Sequence, residues 1–331
     1  MKKLLALALA ATMALSLAAC GGAKEEPAAP SEPATEAPAA ETYKVGICQL
    51  APHPALDAAT QGFIDALNEA LPGQVEFDNQ NAAGESATCA TIVNGFVSAD
   101  VDLIMANATP ALQAAVAATS DIPVLGTSVT EYGVALGIDN FSGTVGTNVS
   151  GTSDLAPLDG QAAMVKEWFP EAKTVGLLYC SAEANSQYQV DTVQAELEKL
   201  GLTCTQYPFS DTNDMASVTQ SAVDNSDVLY VPTDNTCANN AGIIDNIARP
   251  AGVPVICGEE GICGGCGVAT LSISYYDLGV ATGKMAAKIL TGEADIASMP
   301  IEYAPQFTKK YNETICTDLG LTVPEGYEVI A

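Results

Sequence analysis

From Tyr43 onward, short apolar runs alternate with amphipathic stretches of helical length. Strands that are apolar on both faces, separated by helices, are typical of βα units and a parallel sheet. The first such run is Val45-Gly46-Ile47-Cys48-Gln49. The first half of this region predicts strands at 45–49, 75–77, 102–105 and 122–125, and helices at about 55–71, at 86–99 and from residue 110.

The same order of elements recurs in the second half, which indicates an internal duplication. The pattern predicts strands at 175–179, 202–207, 227–231 and 253–256, and helices at about 187–200, at 214–225 and after residue 235. Matching landmarks lie at similar offsets: Val45 and Val175 are 130 residues apart, Asp102 and Asp227 are 125 apart, and Pro123 and Pro254 are 131 apart.

A duplicated βα pattern predicts an α/β protein with two Rossmann-like lobes, each built on a parallel sheet and joined by a multi-strand hinge. Lobe one is expected at 43–153 plus about 277–305, and lobe two at 154–276 plus about 306–331. Ligands bind beyond the carboxyl ends of strands in open parallel sheets, so loops from both halves should line a shared cleft. Those loops are 49–54, 80–84, 107–110 and 126–130 in the first half, and 180–186, 232–237 and 258–262 in the second.

The first twenty residues have the pattern of an export signal. Lys2 and Lys3 precede an uncharged apolar run from Leu4 to Leu17, which is followed by Ala-Ala and Cys20. A cysteine after Leu-Ala-Ala resembles the lipobox, in which the cysteine is lipidated and becomes the mature N-terminus. A transmembrane anchor is the alternative, but the apolar run is short for a span. We expect a lipoprotein signal peptide at 1–20, with lipidation at Cys20.

Residues 21–42 are mainly Ala, Pro, Glu, Ser and Thr, without a large apolar side chain. Such a segment buries too little surface to fold, and its prolines and like charges favour an extended tether. A lipid anchor followed by a tether predicts that the folded region works outside the cytoplasm, attached to the cell membrane.

Composition excludes one class of partner. Of the 331 residues, 48% are hydrophobic, which is enough for two substantial cores. The chain has 12 Lys and Arg against 40 Asp and Glu, a formal net charge of −28. A nucleic-acid-binding protein needs clustered cations to displace counterions, so nucleic acid is not expected as a partner.

The predicted cleft carries groups that suit a small anion. Thr109-Pro110 has the pattern of a helix N-cap followed by proline, which leaves backbone amides free at the helix start. Ser128 and Thr130 add hydroxyls after the next strand. Together these groups could hold a carboxylate without a cation. The alternative for Thr109 is that it only caps its helix.

Carboxylates on other cleft loops suit an ammonium group. The candidates are Asp154, Glu183 and Asp234, because charge-assisted hydrogen bonds are the strong ones. For Asp234 the alternative is an Asx cap on the following helix. A cleft with both kinds of group predicts an amino-acid zwitterion as ligand. Neutral hydrogen bonds are expected from Gln49, Asn81 and Asn185.

Motifs on these loops resemble a known family. They are His53-Pro54-Ala55-Leu56-Asp57, Asn81-Ala82-Ala83-Gly84, Ala108-Thr109-Pro110-Ala111, Gly151-Thr152-Ser153-Asp154-Leu155, Ser181-Ala182-Glu183-Ala184-Asn185-Ser186, Val231-Pro232-Thr233-Asp234-Asn235 and Tyr275-Tyr276-Asp277-Leu278-Gly279. They are similar to the substrate-binding lipoproteins of ABC transporters, in the group that includes the tryptophan/tyrosine-binding proteins. The resemblance implies the type I periplasmic-binding-protein fold, capture of a small solute such as an aromatic amino acid, and delivery to a membrane permease.

Cysteine content departs from that resemblance. Nine cysteines follow Cys20, including the Cys263-Gly264-Gly265-Cys266 motif. A metal or redox site formed with Cys237 and Cys257 is one interpretation, while free buried thiols or a local disulfide are favoured.

The chain also contains a single histidine, His53. One histidine gives no basis for a Ser/His/Asp or Cys/His triad. We therefore expect a binding protein without enzymatic activity. We also expect it to be a monomer and to bind no cofactor or metal. The alternatives are a neutral ligand such as a sugar or nucleoside in the same cleft and, more remotely, a thiol redox protein that uses Cys263 and Cys266.

Overall fold

The computed structural model describes residues 42–330. The predicted signal peptide, Cys20 and all but the last residue of the predicted tether lie outside the described residues. The first half contains β1 (Tyr43–Gln49), α1 (Pro54–Ala70), β2 (Val75–Asn81), α2 (Ser86–Ser98), β3 (Leu103–Asn107), α3 (Thr109–Ala118), β4 (Val124–Val129), α4 (Tyr132–Leu136) and β5 (Val149–Ser153). The second half contains α5 (Leu158–Trp168), β6 (Thr174–Cys180), α6 (Ala184–Lys199), β7 (Thr203–Phe209), α7 (Thr212–Asp224), β8 (Val228–Val231), α8 (Asn235–Asn239), α9 (Ala241–Ala251), β9 (Val255–Cys257), α10 (Glu260–Cys266) and β10 (Ala269–Ser272). The C-terminal part contains α11 (Tyr275–Leu290), a 3-10 turn (Ile296–Ser298), β11 (Glu302–Tyr303), β12 (Thr308–Tyr311), α12 (Glu313–Asp318) and β13 (Glu328–Val329).

Two sheets carry the fold, and their strand orders match. The first sheet runs β11-β5-β4-β3-β1-β2, and the second runs β13-β12-β10-β9-β8-β6-β7. When each half is counted from its own first strand, both contain the order 5-4-3-1-2. All ladders are parallel except the pairing of β10 with β12. The predicted duplication and the two-sheet α/β fold are confirmed.

Each sheet has an apolar layer on both faces, which explains the unbroken apolar runs. In β1, Val45 and Ile47 pack into one cluster, whereas Cys48 packs into another. In β6, Leu177 and Leu178 likewise belong to different clusters. Side chains alternate across a strand, so a strand covered by helices on both sides must be apolar at every position.

The chain crosses between the sheets three times. It leaves the first sheet after β5, and α5 then packs in a core of the second lobe. It returns at 273–274, where α11 packs against α1, and crosses again at 304–307 between β11 and β12. We call the β1–β5 and β11 sheet with its helices the first lobe, and the β6–β10, β12 and β13 sheet with its helices the second lobe.

Contact between α1 and α11 depends on the absence of a side chain. A Cβ atom at Gly279 would lie 2.0 Å from the carbonyl oxygen of Ala59, and one at Gly62 would lie 2.1 Å from the carbonyl oxygen of Tyr276. Glycine at both positions allows the two helix backbones to touch. This contact attaches α11, which follows the second sheet in the chain, to the first lobe.

Several strands run further than the apolar pattern predicted. β3 continues to Asn107 and β4 to Val129, because the ladder still pairs Asn107 with Thr127. Buried Asn107 satisfies its amide by donating to the carbonyl of Leu56 and the hydroxyl of Thr60. Polar residues continue a strand when their backbone and side-chain groups are hydrogen-bonded.

The prediction of Thr109 as an N-cap is wrong. Thr109 is the first residue of α3, and the cap position is Ala108, which has a φ of 90° and makes no side-chain cap bond. The extension of β3 to Asn107 moves the strand-to-helix turn to Ala108. Among residues 42–330, no helix is long and apolar enough to cross a membrane.

Candidate ligand-binding cavity

A buried cavity lies between the lobes, beyond the carboxyl ends of both sheets. The first lobe contributes the start of α1 and the end of β4, and the second lobe contributes the starts of α6, α8 and α10. Two of the segments that connect the lobes also contribute a polar side chain, Asp154 after β5 and Tyr275 after β10. The lining residues are His53, Ala55, Leu56, Ser128, Thr130, Asp154, Asn185, Thr233, Asp234, Asn235, Ala238, Glu259 and Tyr275.

Unpartnered polar atoms concentrate at this cavity. Among the described residues, seven buried side-chain nitrogen or oxygen atoms lack a hydrogen-bond partner, and four belong to residues that line it. A buried polar atom without a partner costs about 1–3 kcal/mol, so a cluster of them indicates a partner that comes from outside the chain. The four atoms are His53 Nδ1, Ser128 Oγ, Asp154 Oδ1 and Asn185 Oδ1.

Asp154 presents one free acceptor to the cavity. Its Oδ2 accepts a hydrogen bond from the hydroxyl of Tyr275 at 3.0 Å, and its Oδ1 has no partner. Burial raises the pKa of Asp154 from 3.8 to about 6, although the hydrogen bond from Tyr275 acts in the opposite direction. A cation at Oδ1 would favour the ionised form, because opposite charges at short range stabilise each other.

The other two predicted acidic residues are already bound within the protein. Asp234 accepts the backbone N–H of Cys180 at 2.7 Å and that of Cys237 at 2.8 Å, so it caps α8. The alternative interpretation of Asp234 from the sequence, an Asx cap on the following helix, is therefore confirmed. Burial, with the nearby charge of Glu183, raises the pKa of Asp234 to about 7.

Glu183 is occupied in a similar way. It accepts the backbone N–H groups of Asn235 and Thr236, the side-chain amide of Asn235 and the hydroxyl of Thr236. Asp234 remains a cavity-lining residue, whereas Glu183 lines only the adjoining groove. The structure therefore leaves Asp154 as the one predicted acidic residue with a free oxygen facing the cavity.

Hydroxyls from the first lobe face the same space. Ser128 has a φ of 54°, and the ladder between β4 and β5 is irregular between Gly126 and Val129. Non-glycine residues in left-handed conformations concentrate at binding sites, where the surrounding fold compensates for the strain. Thr130 lines the cavity beside Ser128, and no Lys or Arg is among the described lining residues.

Besides Glu183, three further predicted site residues do not line the cavity. Buried Gln49 donates to Asp57 at 2.6 Å and accepts from Thr60 at 2.7 Å, so it ties β1 to α1. Asn81 is exposed and bonds the backbone N–H of Ala83. Thr109 is buried at the first turn of α3.

Five polar residues that line the cavity were not among the predicted site residues: His53, Thr233, Asn235, Glu259 and Tyr275. Tyr275 holds Asp154, and it lies next to the boundary predicted at 276–277, where the chain passes from lobe two to lobe one. Glu259 caps α10 through the N–H groups of Gly261 and Ile262, and burial raises its pKa to about 7. The only feature of the sequence that pointed to Glu259 as a cavity residue was its position in the cleft loop predicted at 258–262.

In this arrangement the cavity is nearly filled. The centre of a water-sized sphere can occupy only about 10 Å³ of it, which is room for a single water. Grooves with about 470 and about 760 Å³ adjoin it. The first shares Asn235 with the cavity, and the second shares Ala55, Ala238, Glu259 and Tyr275. The lobes must therefore separate before a larger molecule can enter.

The cysteines form no metal site among the described residues. No group of three or more His, Cys, Asp or Glu side chains in 42–330 is arranged to hold a metal ion. All nine described cysteines are free thiols, and eight are buried, Cys204 being half-buried. Burial raises the pKa of Cys263, which opposes the formation of a reactive thiolate.

Comparison with known proteins identifies the family. Residues 44–331 match the family described as ABC transporter substrate binding protein. The chain belongs to this family. It is 34% identical to the tyrosine-binding protein of Clostridioides difficile (strain R20291), over 91% of this chain and 87% of that protein.

Two solved structures of family relatives differ in their similarity to this chain. One is an ABC domain in complex with L-Trp from Streptococcus pneumonia, with a TM-score of 0.83 and 33% identity over 88% of this chain and 100% of that one. The other is a ligand-free, open substrate-binding protein with adhesive properties from Clostridium difficile, with a TM-score of 0.67 and 38% identity over 87% and 99%. The open structure is more similar to this chain in sequence but less similar in overall shape than the complex with L-Trp.

Proposed function

We propose that this substrate-binding protein captures an aromatic amino acid between its lobes and delivers it to a membrane permease for import. The observation that carries the proposal is the group of four unpartnered buried polar atoms around one interlobe cavity. Two relatives point to the same ligand class, since one is described as a tyrosine-binding protein and the other was solved with L-Trp.

The free acceptors suit the ammonium end of an amino acid. Asp154 Oδ1 and Asn185 Oδ1 can only accept hydrogen bonds. The orientation of Asn185 is fixed because its Nδ2 donates to the carbonyl of Thr233 and to Glu183. An ammonium group brings three donors and a positive charge, and thus supplies what both acceptors lack.

The carboxylate end suits the first lobe. Ser128 and Thr130 offer hydroxyl donors, and a carboxylate can only accept. With no cation among the described lining residues, the ligand's own ammonium supplies the charge that balances its carboxylate. Ala55, Leu56 and Ala238 give the cavity an apolar part for the side chain.

Binding to the purified protein tests this proposal. We expect one aromatic L-amino acid to bind stoichiometrically by calorimetry and to stabilise the protein by about 2.7 kcal/mol at a hundredfold excess over Kd. Asp154→Asn should weaken this binding, because it removes the charge that faces the ammonium group. Asp159→Asn is its matched control, because Asp159 is exposed and lies five residues further along the chain. Absence of stabilisation by every amino acid, with stabilisation by a sugar or nucleoside, would favour the neutral-ligand alternative.

We also propose that the protein is anchored outside the cytoplasm through lipidated Cys20 and acts as a monomer without catalysis. The export-signal pattern and the Pro- and Glu-rich segment after it support the anchor. Cys20→Ser should abolish incorporation of a radiolabelled fatty acid and release the protein from the membrane fraction. Unchanged labelling of that variant would contradict the anchor, and light scattering of the purified protein tests the monomer.

A further inference from the structure

His53 is the only described histidine, and it connects the two lobes at the cavity. It precedes α1 in the first lobe and is 6% exposed. Its Nε2 lies 3.3 Å from Oδ1 of Asn235, the first residue of α8 in the second lobe. Nδ1 of His53 is buried without a partner.

The hydrogen-bond partners of Asn235 determine which ring nitrogen of His53 carries the proton. The side-chain Nδ2 of Asn235 donates to Glu183 Oε2 at 2.7 Å, and a carboxylate oxygen requires a donor there. The atom of Asn235 that faces His53 is therefore its carbonyl oxygen, which can only accept. Nε2 of His53 must then donate, and Nδ1 in the neutral ring is left as an acceptor.

His53 is neutral because its surroundings disfavour a charge. Burial lowers its pKa, and this outweighs the hydrogen bond to Asn235 and the charges of Glu183 and Asp57, which act in the opposite direction. The cavity thus contains a neutral imidazole whose one free nitrogen has a lone pair and no proton. Next to it, Ala55 and Leu56 give the wall an apolar surface.

We propose that His53 Nδ1 accepts a hydrogen bond from an N–H or O–H on the ligand's aromatic ring, so that the site selects tyrosine or tryptophan over phenylalanine. This rests on the proposed function, since it concerns the side chain of the captured amino acid. Asp154 and Asn185 already provide acceptors for the ammonium group, which leaves His53 for a second donor. A ring without such a donor leaves Nδ1 buried and unpaired, which costs affinity.

The selection also depends on closure of the lobes. The residue that orients the imidazole, Asn235, lies in the second lobe, whereas His53 lies in the first. In a separated arrangement the ring loses this partner, and its tautomer is no longer fixed. Discrimination between ring substituents is therefore a property of the closed form.

Affinities for tyrosine and phenylalanine test the inference in the wild-type protein and in His53→Phe. We expect the wild type to prefer tyrosine by at least about tenfold, and the variant to bind the two with affinities that agree within about twofold. Asp154→Asn serves as the contrast, because it should weaken both ligands by the same factor and keep their ratio. If His53→Phe also lowers both equally, His53 contacts the ammonium group and the inference is wrong.

Nitrogen NMR of the untagged, histidine-labelled wild type gives a second test that does not depend on a variant. With one histidine in the chain, we expect a single Nε2–H tautomer at pH 7 in the closed, tyrosine-bound protein. The Nδ1 resonance of the tyrosine complex should be that of a hydrogen-bonded acceptor and should differ from the Nδ1 resonance of the phenylalanine complex. A protonated Nδ1 overturns the inference and leaves amino-acid capture intact, whereas failure of all aromatic amino acids to bind overturns both.

Discussion

The hydroxyl of Tyr275 donates to Oδ2 of Asp154 at 3.0 Å and joins two of the segments that connect the lobes. Asp154 directly follows β5, and Tyr275 begins α11 shortly after β10. The two strands occupy equivalent positions in the duplicated halves. The hydrogen bond uses one carboxylate oxygen at the hinge and leaves the other for the cavity, so a hinge contact also orients a candidate ligand-binding group.

Asp154→Asn should weaken the binding of an aromatic amino acid by about thirtyfold or more. The substitution removes the charge that faces the ammonium group, and loss of one partner of such a pair costs about 2–5 kcal/mol. Calorimetry at pH 7.5 measures the change. Asp159→Asn should bind like the wild type, and equal affinity of the two variants would exclude Asp154 from the site.

The stability of the ligand-free protein should depend on pH through Asp154. Its pKa is about 6 in the folded state against 3.8 as its ordinary value. Between these values the folded state holds the proton more tightly, so stability is lost as pH rises from about 4 through 6. The loss is about 3 kcal/mol relative to Asp154→Asn, whose amide does not titrate.

Urea unfolding without ligand at pH 4 and pH 7.5 checks this dependence. The difference in the free energy of unfolding between wild type and Asp154→Asn should change by about 3 kcal/mol between the two pH values. The variant should gain stability relative to the wild type at the higher pH. A difference that stays constant with pH would mean that the pKa of Asp154 is the same in the folded and unfolded states.

Tyr275→Phe should shift the pH profile of binding upward. The phenol hydrogen bond lowers the pKa of Asp154, so its removal raises that pKa and leaves less of the ionised form near pH 7. We expect a loss of about 1 kcal/mol in binding at pH 7 and a smaller loss at pH 8.5. Tyr276→Phe is the matched control, since its hydroxyl bonds exposed Asp65. Equal pH profiles for the two variants would contradict the assigned role of Tyr275.

Gly279→Ala should destabilise the protein by about 1–3 kcal/mol or more, because the new Cβ meets the carbonyl of Ala59 at 2.0 Å. Gly95→Ala in α2 provides the contrast. Gly95 is exposed in a helix with no atom within 4 Å of the added Cβ, so that variant should gain about 0.5–1 kcal/mol. Thermal unfolding of both variants measures the difference, and a neutral Gly279→Ala would show that α1 and α11 separate easily.

The described thiols should react slowly in the folded protein. Eight of the nine are buried, and burial raises the pKa of Cys180, Cys204 and Cys316 to about 11. Titration with an aromatic disulfide reagent should label Cys204 first and the others only after denaturation. Rapid labelling of Cys263 and Cys266 would instead favour the thiol redox alternative.

The duplicated fold could be predicted from the sequence because each sheet is covered on both faces. That burial forces unbroken apolar runs such as those at β1 and β6, and the runs recur in the same order. Strand ends were less predictable. At Asn107 and Val129 the backbone pairing outlasts the apolar pattern, because a neighbouring strand and buried side-chain hydrogen bonds satisfy the polar groups there.

The sequence by itself determined the two lobes and the loops at the carboxyl ends of their strands, since periodicity and chain order are local properties. Only the tertiary structure decided which polar groups remain available to a ligand. Asp234 and Glu183 lie on the predicted loops, yet their oxygens bind the N–H groups at the start of α8. Asp154 keeps one oxygen free because its partner, Tyr275, comes from a segment 121 residues away. Whether a hydrogen-bonding group is occupied depends on neighbours that are distant in sequence, and spacing along the chain carries no record of them.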